Sequence, residues 1–261
     1  MIGAIIGDIV GSAYEFHNVK TKEFKLFTEN SCFTDDTILT CATAEWLLTG
    51  KSAEQVLKKW GNRYKNRYYE NGKIPPFGKG FSRWLETGIP YQAKTNGCVM
   101  RISPIGLMEK DLTEALKKAC VLTNLTHNHP ESLKYVSMYI ETMFLLKKGM
   151  DTHRIKEKLS KKYECDLIKS IDEIRPIYNK FYVSCKNSVP QAIISALDAV
   201  SFEDAIRNAI SLGGDSDTLA CMAGGIAEIR FGVPIKLKTK TVSYLDQCMQ
   251  KVISDFYQKT R

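Results

Sequence analysis

Apolar residues recur along the chain mostly at intervals of three and four, and alternating runs of Val, Ile and Thr bounded by turn residues are scarce. The pattern predicts an all-α fold. In TDDTILTCATAEWLLTG, Ile38, Leu39, Ala42, Trp46 and Leu47 share one face, with Thr34 placed as N-cap and Gly50 as the stop. Ser52 and Gln55 make a capping-box pattern at the next helix start. Further helices are predicted at TEALKKACVL, at PESLKYVSMYIETMFLLKKG with Pro130 in its first turn, and at PQAIISALDAV with Pro190 placed likewise. SFEDAIRNAISLGG should begin at the cap Ser201 and end at Gly213 and Gly214. In the helix after it, Gly224 and Gly225 would let a neighbour approach its backbone closely.

Between Asn62 and Thr95 the periodicity weakens. Gly72, Pro75, Pro76, Gly78, Gly80, Gly88 and Pro90 punctuate a loop-rich stretch that carries Tyr64, Tyr68, Tyr69, Phe77, Phe81, Trp84 and Tyr91. Rings so placed either line a pocket or pin a long connection to the core. No linker, repeat or low-complexity tract divides the chain, so one domain over residues 1–261 is expected.

The chain has 261 residues, 44% of them hydrophobic, and 37 Lys plus Arg against 29 Asp plus Glu leave a net charge of +8. Such a composition excludes disorder as the main state. The basic tract RIKEKLSKK reads as the solvated face of a helix, with Ile155 and Leu159 turned inward. No nucleic-acid-binding module accompanies the charge, which favours a phosphate-bearing ligand more than nucleic acid. No apolar stretch approaches the roughly 18 residues of a membrane span, and MIGAIIGDIVG lacks the basic start of a secretory signal. A cytoplasmic protein with no membrane partner is expected. The eight cysteines show no CxxC and no zinc spacing, which suits buried free thiols.

Two polar sequences, Thr34-Asp35-Asp36-Thr37 and Gly214-Asp215-Ser216-Asp217-Thr218, each open an apolar-periodic helix. Either alone could be explained by capping and by the helix dipole. Together they hold more anionic oxygen than two caps use. If the two starts meet, carboxylates about 4 Å apart repel by roughly 4 kcal/mol per pair at an effective dielectric of about 20. Four aspartates match the charge of two divalent ions, and an all-oxygen set with hydroxyls and no His or Cys suits Mg²⁺ or Mn²⁺. Asp215 must precede its helix proper if it is to converge with Asp217.

The segments GDIVGSAYE, FTDDTILT, PFGKGFSRWL, TNGCVMRISPIG, THNHPE, VPQAI and ISLGGDSDTLACMAGGIAE, in this order, resemble the ADP-ribosylglycohydrolase family from end to end. TDDT together with GGDSDT and NGxxMRxxP carries the specificity.

The resemblance implies an all-α globule with two Mg²⁺ ions, or Mn²⁺, that hydrolyses the glycosidic bond joining ADP-ribose to an acceptor. The family's metal ligands fall on Thr34, Asp35, Asp36, Asp215, Asp217 and Thr218, and its substrate loop on Asn96, Gly97, Cys98, Met100 and Arg101. Relatives commonly have small residues where Cys98 and Val99 stand. Met100 and Arg101 are open to either ligand contact or loop packing. His127 is placed at the ligand and His129 at a helix start, while Asp8 reads as structural. Glu15 matches a flap glutamate that reaches the scissile bond, so Glu15, Asp35 and Asp36 are the catalytic candidates, with Asp36 or Glu15 moving the proton. The expected partner is an ADP-ribose conjugate, an ADP-ribosylated protein included, acted on by a monomer. Catalytically silent relatives of the fold exist, so an ADP-ribose-binding or structural protein is the competing expectation. Another is a hydrolase of ADP-ribosylated nucleic acid. The acceptor itself is not legible.

Overall fold

A computed structural model describes residues 1–69 and 74–260; Gly72, one of the predicted loop punctuators, lies outside them. The described residues form fourteen α-helices and no sheet, as the periodicity predicts. In chain order these are α1 (Ile2–Ser12), α2 (Asp35–Thr49), α3 (Ala53–Tyr64), α4 (Lys79–Thr87), α5 (Ser103–Met108), α6 (Leu112–Asn124) and α7 (Pro130–Lys147). Then come α8 (Thr152–Tyr163), α9 (Ile171–Ile174), α10 (Cys185–Leu197), α11 (Phe202–Ser211), α12 (Ser216–Phe231), α13 (Ile235–Val242) and α14 (Gln247–Thr260). None of them is long and apolar enough to cross a membrane.

The centre is the pair α1 and α12, with α2, α10 and α11 around it. Every residue of α1 from Ile2 to Gly11 is buried, which is why this segment, Asp8 apart, is apolar all round rather than amphipathic. Its glycines let the main chains touch. A Cβ on Gly7 would fall 2.0 Å from the Ala220 carbonyl oxygen, and one on Gly11 would fall 2.5 Å from the Asp217 Cα. Gly224 receives α1 in the same way, since its Cβ would meet the Gly3 carbonyl oxygen at 2.2 Å, as its sequence position leads one to expect.

The local signals hold at Thr34, Gly50, Pro130 and Ser201, which cap, end or open their helices as predicted. Three differ. Ser52 takes the N-cap position of α3, but its side chain makes no capping bond. The stretch from Asn62 to Thr95 contains α4, whose buried Phe81 and Trp84 give the short helix a core face despite the flanking glycines. Helix α10 starts at Cys185, not in the turn at Pro190, which lies inside it. The earlier start is fixed by tertiary bonds: Cys185 N donates to Lys94 O at 2.8 Å, and Asn96 N donates to Val183 O at 2.8 Å. These bonds hold the chain in place where proline forfeits a helical hydrogen bond.

On α8, Ile155 and Leu159 point inward as expected, but Lys156 is buried as well and pairs with Asp198. All eight cysteines are free; Cys41, Cys98, Cys185 and Cys221 are buried and the other four half-buried.

Candidate functional site

The starts of α2 and α12 meet. Thr34 caps α2, its Oγ1 accepting from Asp36 N at 3.3 Å. Asp215 sits at the N-cap of α12, ahead of the helix, after Gly213 and Gly214, which both adopt φ of +72°. That turn lets Asp215 and Asp217 face one point. Thr218 Oγ1 donates to Asp36 Oδ2 at 3.2 Å, joining the two motifs directly. Asn96 Nδ2 donates to Asp215 Oδ2 at 2.6 Å, which brings the predicted substrate loop to the same place. Carboxylate oxygens of Asp8, Asp36 and Asp217 lie within 4.8 Å of one another, and so do those of Glu15, Asp215 and Asp217.

Such crowding is visible in the acidities. Burial, then the charges of Asp8 and Asp215, pushes the Asp35 carboxyl up to about 7. Asp36 and Asp217 are raised well above the carboxylate range, again first by burial and then by neighbouring carboxylates. Asp215 is raised by burial against the opposing bond from Asn96. Asp36 Oδ1 and Asp217 Oδ1 are buried and receive no hydrogen bond among the described residues. Buried anionic oxygens without partners are costly, and a cation relieves both the desolvation and the mutual repulsion. The donor set, carboxylates with the hydroxyls of Thr34 and Thr218, fits hard divalent cations.

Asp8 differs from the other acids in this cluster. Its Oδ1 accepts from Thr34 Oγ1 at 2.7 Å, and its Oδ2 accepts from Thr34 N at 3.0 Å, from Thr37 N at 3.1 Å and from the Thr37 hydroxyl. The carboxylate is thus spent on bracing the α2 start. Its structural role agrees with the sequence reading; its place among the acids does not follow from that reading, although a lone Asp inside an apolar helix is a signal.

The acids lie at one side of a cavity of about 510 Å³. Asn96, Gly97, Met100, Arg101 and His127 line it, while Cys98 does not. The Cys98 thiol is buried behind the loop, donating to Thr95 O at 3.4 Å, with Cys185 Sγ 3.8 Å away. Tyr69, Phe77, Phe81 and Tyr91 also line the cavity, whereas Trp84 and Tyr64 pack in the core, so the aromatic stretch serves both purposes open to it. Phe181, from a segment with no sequence signal, completes that wall.

Arg101 is fully buried; Nη2 donates to Thr126 Oγ1 at 2.7 Å and to Leu122 O at 3.4 Å, while Nε and Nη1 have no partner among the described residues. Among the described residues Arg101 thus bonds Leu122 and Thr126, which suits packing, and keeps two donors for a ligand. His127 is held down to about 3 by burial and by Arg101, and is neutral. Its Nδ1 is hydrogen-bonded with Thr126 Oγ1 at 2.7 Å and its Nε2 with Thr95 Oγ1 at 2.9 Å. His127 thereby orders the loop at the cavity edge. His129 is the N-cap of α7, its Nδ1 accepting from Glu131 N at 3.0 Å.

Glu15, on the strap after α1, is half-buried. It belongs both to this cavity and to an adjoining one of about 500 Å³, which also shares Thr34, Tyr69 and Ile74 and is lined further by His17, Glu29, Arg67 and Tyr68.

Comparison with known proteins supplies the decisive observation: a profile of the ADP-ribosylglycohydrolase family matches residues 1–261. The chain belongs to the ADP-ribosylglycohydrolase family. It is 25% identical over 308 residues to ADP-ribosylhydrolase ARH3 of Bos taurus, spanning 89% of this chain and 84% of that protein. It is 24% identical to ADP-ribosylarginine hydrolase Tri1 of Pseudomonas putida (strain GB-1), spanning 89% of this chain and 70% of the relative. A solved structure titled ADP-ribosylglycohydrolase-related protein complex superposes with a TM-score of 0.70 at 18% identity, covering 100% of this chain and 96% of that one. Membership in this family supports a glycohydrolase activity that reverses ADP-ribosylation, and an ADP-ribose conjugate as substrate.

Proposed function

We propose that this ADP-ribosylglycohydrolase cleaves the bond between the anomeric carbon of ADP-ribose and its acceptor, with divalent cations held by Thr34, Asp35, Asp36, Asp215, Asp217 and Thr218. The observation that carries the reading is the meeting of the two acidic helix starts beside a cavity with unpartnered anionic oxygens. Mg²⁺ or Mn²⁺, when bound, would supply the positive charge that orients the ribose hydroxyls and acidifies a water.

The chain's own groups divide the rest. Arg101 offers Nε and Nη1, buried and without a partner among the described residues, to an anion, and Gly97 leaves the loop backbone open to a diphosphate. Tyr69, Phe77, Phe81 and Phe181 give an apolar aromatic wall suited to a base. His127, neutral, keeps Thr95 and the loop in place. Glu15 stands where the two cavities join, so a conjugate with its nucleotide in the first cavity would direct its acceptor into the second. Cleavage passes through an oxocarbenium-like state, in which a carboxylate takes a proton from water and returns one to the leaving group. We assign that transfer to Glu15, which the nearness of its carboxylate to Asp215 and Asp217 supports, with Asp36 as the buried alternative.

The test offers arginine-, serine- and nucleotide-linked ADP-ribose conjugates with Mg²⁺ or Mn²⁺ and measures free ADP-ribose, for the native chain and for Asp35→Ala and Asp217→Ala. Metal-dependent release by the native chain and its loss in both variants is expected; turnover retained by the variants rejects the site. Binding of ADP-ribose by titration calorimetry without release from any conjugate would instead identify a silent reader.

A further inference from the structure

The strap carrying Glu15 is tied to Gly214, just before α12, by the Asn18 side chain. Its Nδ2 donates to Tyr14 O at 2.9 Å and to Glu15 O at 2.7 Å, closing the strap on itself, with a third contact to Gly214 O at 3.4 Å. Its Oδ1 accepts from Gly214 N at 2.5 Å. Gly214 immediately precedes Asp215, so a single amide runs from the carbonyl of Glu15 to the residue beside the α12 acids. The fit is close: a Cβ on Gly213 would lie 2.9 Å from Asn18 Oδ1, which gives the Gly-Gly turn a second reason besides its positive φ. Two residues on, Lys20 Nζ donates to the carbonyls of Leu212 and Tyr178, fastening the far end of the strap to the same turn.

We propose that Asn18 is a positioning residue that sets the reach of Glu15 toward Asp215 and Asp217. The inference rests on the reading of Glu15 as the proton-transfer group. Without the tie, the strap keeps Lys20, the Tyr14 hydroxyl on Lys25 O at 2.5 Å and the stacking of Phe16 on Phe181, none of which reaches Gly214 among the described residues. Placement of a reacting carboxylate is worth more to turnover than to affinity, because its contribution falls in the transition state.

Asn18→Asp is the discriminating variant. It keeps an oxygen for Gly214 N and loses both donors to Tyr14 O and Glu15 O, so the α12 turn stays capped while the strap is released. In single turnover with enzyme in excess, roughly tenfold or greater loss of rate is expected, with KM and Mg²⁺ affinity within about threefold of native. In a Glu15→Gln background the same substitution should cost less than about twofold, because there is no carboxylate left to place. Hydrogen exchange of the metal-free protein should quicken at residues 14–17 and not at 216–219. An unchanged rate, or equal losses with and without Glu15, overturns the proposal, as does unchanged exchange at the strap. Failure of the native chain to release ADP-ribose would sink the activity instead, and the exchange experiment would still decide whether Asn18 holds the strap.

Discussion

The starts of α2 and α12 present nearly the same side chains and are held in opposite ways. At α2 the geometry is local: Thr34 caps the helix, Asp36 follows in its first turn, and Asp8 from the adjacent α1 takes four donors from Thr34 and Thr37. At α12 there is no side-chain cap, and Asp215 is held from outside by Asn96 and, through Gly214, by Asn18. One half of the centre is made by capping chemistry that any helix can use; the other depends on loops that arrive from distant parts of the chain. Damage should therefore separate: α2 variants should lose stability first, α12 variants should lose metal and substrate geometry first.

The largest effect that would test this division is at Gly11, where a methyl would meet the Asp217 Cα. Gly11→Ala should cost about 3 kcal/mol in denaturant unfolding, and turnover should be abolished in whatever remains folded. A fully active, stable variant would mean that α1 does not set the place of α12. Next, Asp8→Ala should cost roughly 2 to 3 kcal/mol, since it strips a buried acceptor from two hydroxyls and two amides. Calorimetric Mg²⁺ titration should show affinity falling less than for Asn96→Ala, which leaves Asp215 without its donor but barely touches stability. The reverse ranking would dissolve the contrast.

A smaller effect is set by pH. Asp35 is held up at about 7, against 3.8 for an unfolded carboxyl, so between those values the folded chain keeps a proton the unfolded chain has released. The share of metal-free stability that Asp35 carries should therefore fall as pH rises to about 7 and then level off. Unfolded His127 is still half protonated at 6.5 while the folded ring is neutral, so its own contribution rises with pH; thermal melts between pH 5 and 7 in a His127→Gln background isolate the acids. Saturating Mg²⁺ should abolish the fall, and Mg²⁺ affinity should itself weaken below pH 7. A metal-free melting temperature that rises over this window would contradict the crowding. Smallest is Thr34→Ala, expected to cost about 1 kcal/mol as a lost cap.

The same division explains what could be read beforehand. Thr34, Gly50, Pro130 and Ser201 act within a turn of their own position, and the rules that place them are local. The convergence of residues 34–36 with 215–218 was legible as an excess of charge needing a partner and, independently, through the family resemblance. Asp8 belonged to the acid group as a lone charge in an apolar helix, a signal of a buried partner that does not say which one. Cys98 turned away from the cavity toward Cys185, a direction fixed by the pairing of residues 94–96 with 183–185. That pairing is also why α10 begins before Pro190. Asn18 gave no signal, since a strap asparagine looks like any turn residue until its partners are known.

The main-chain contact between α1 and α12 has a further consequence. Asp8 rides on one helix and Asp217 on the other, and no side chain separates the two backbones at Gly7 and Gly11. The gap between these acids is thus gauged by peptide against peptide, the least variable spacer a protein possesses. Large hydrophobic residues elsewhere can be exchanged, and the outer helices can shift to suit them, without altering the opening left for a cation.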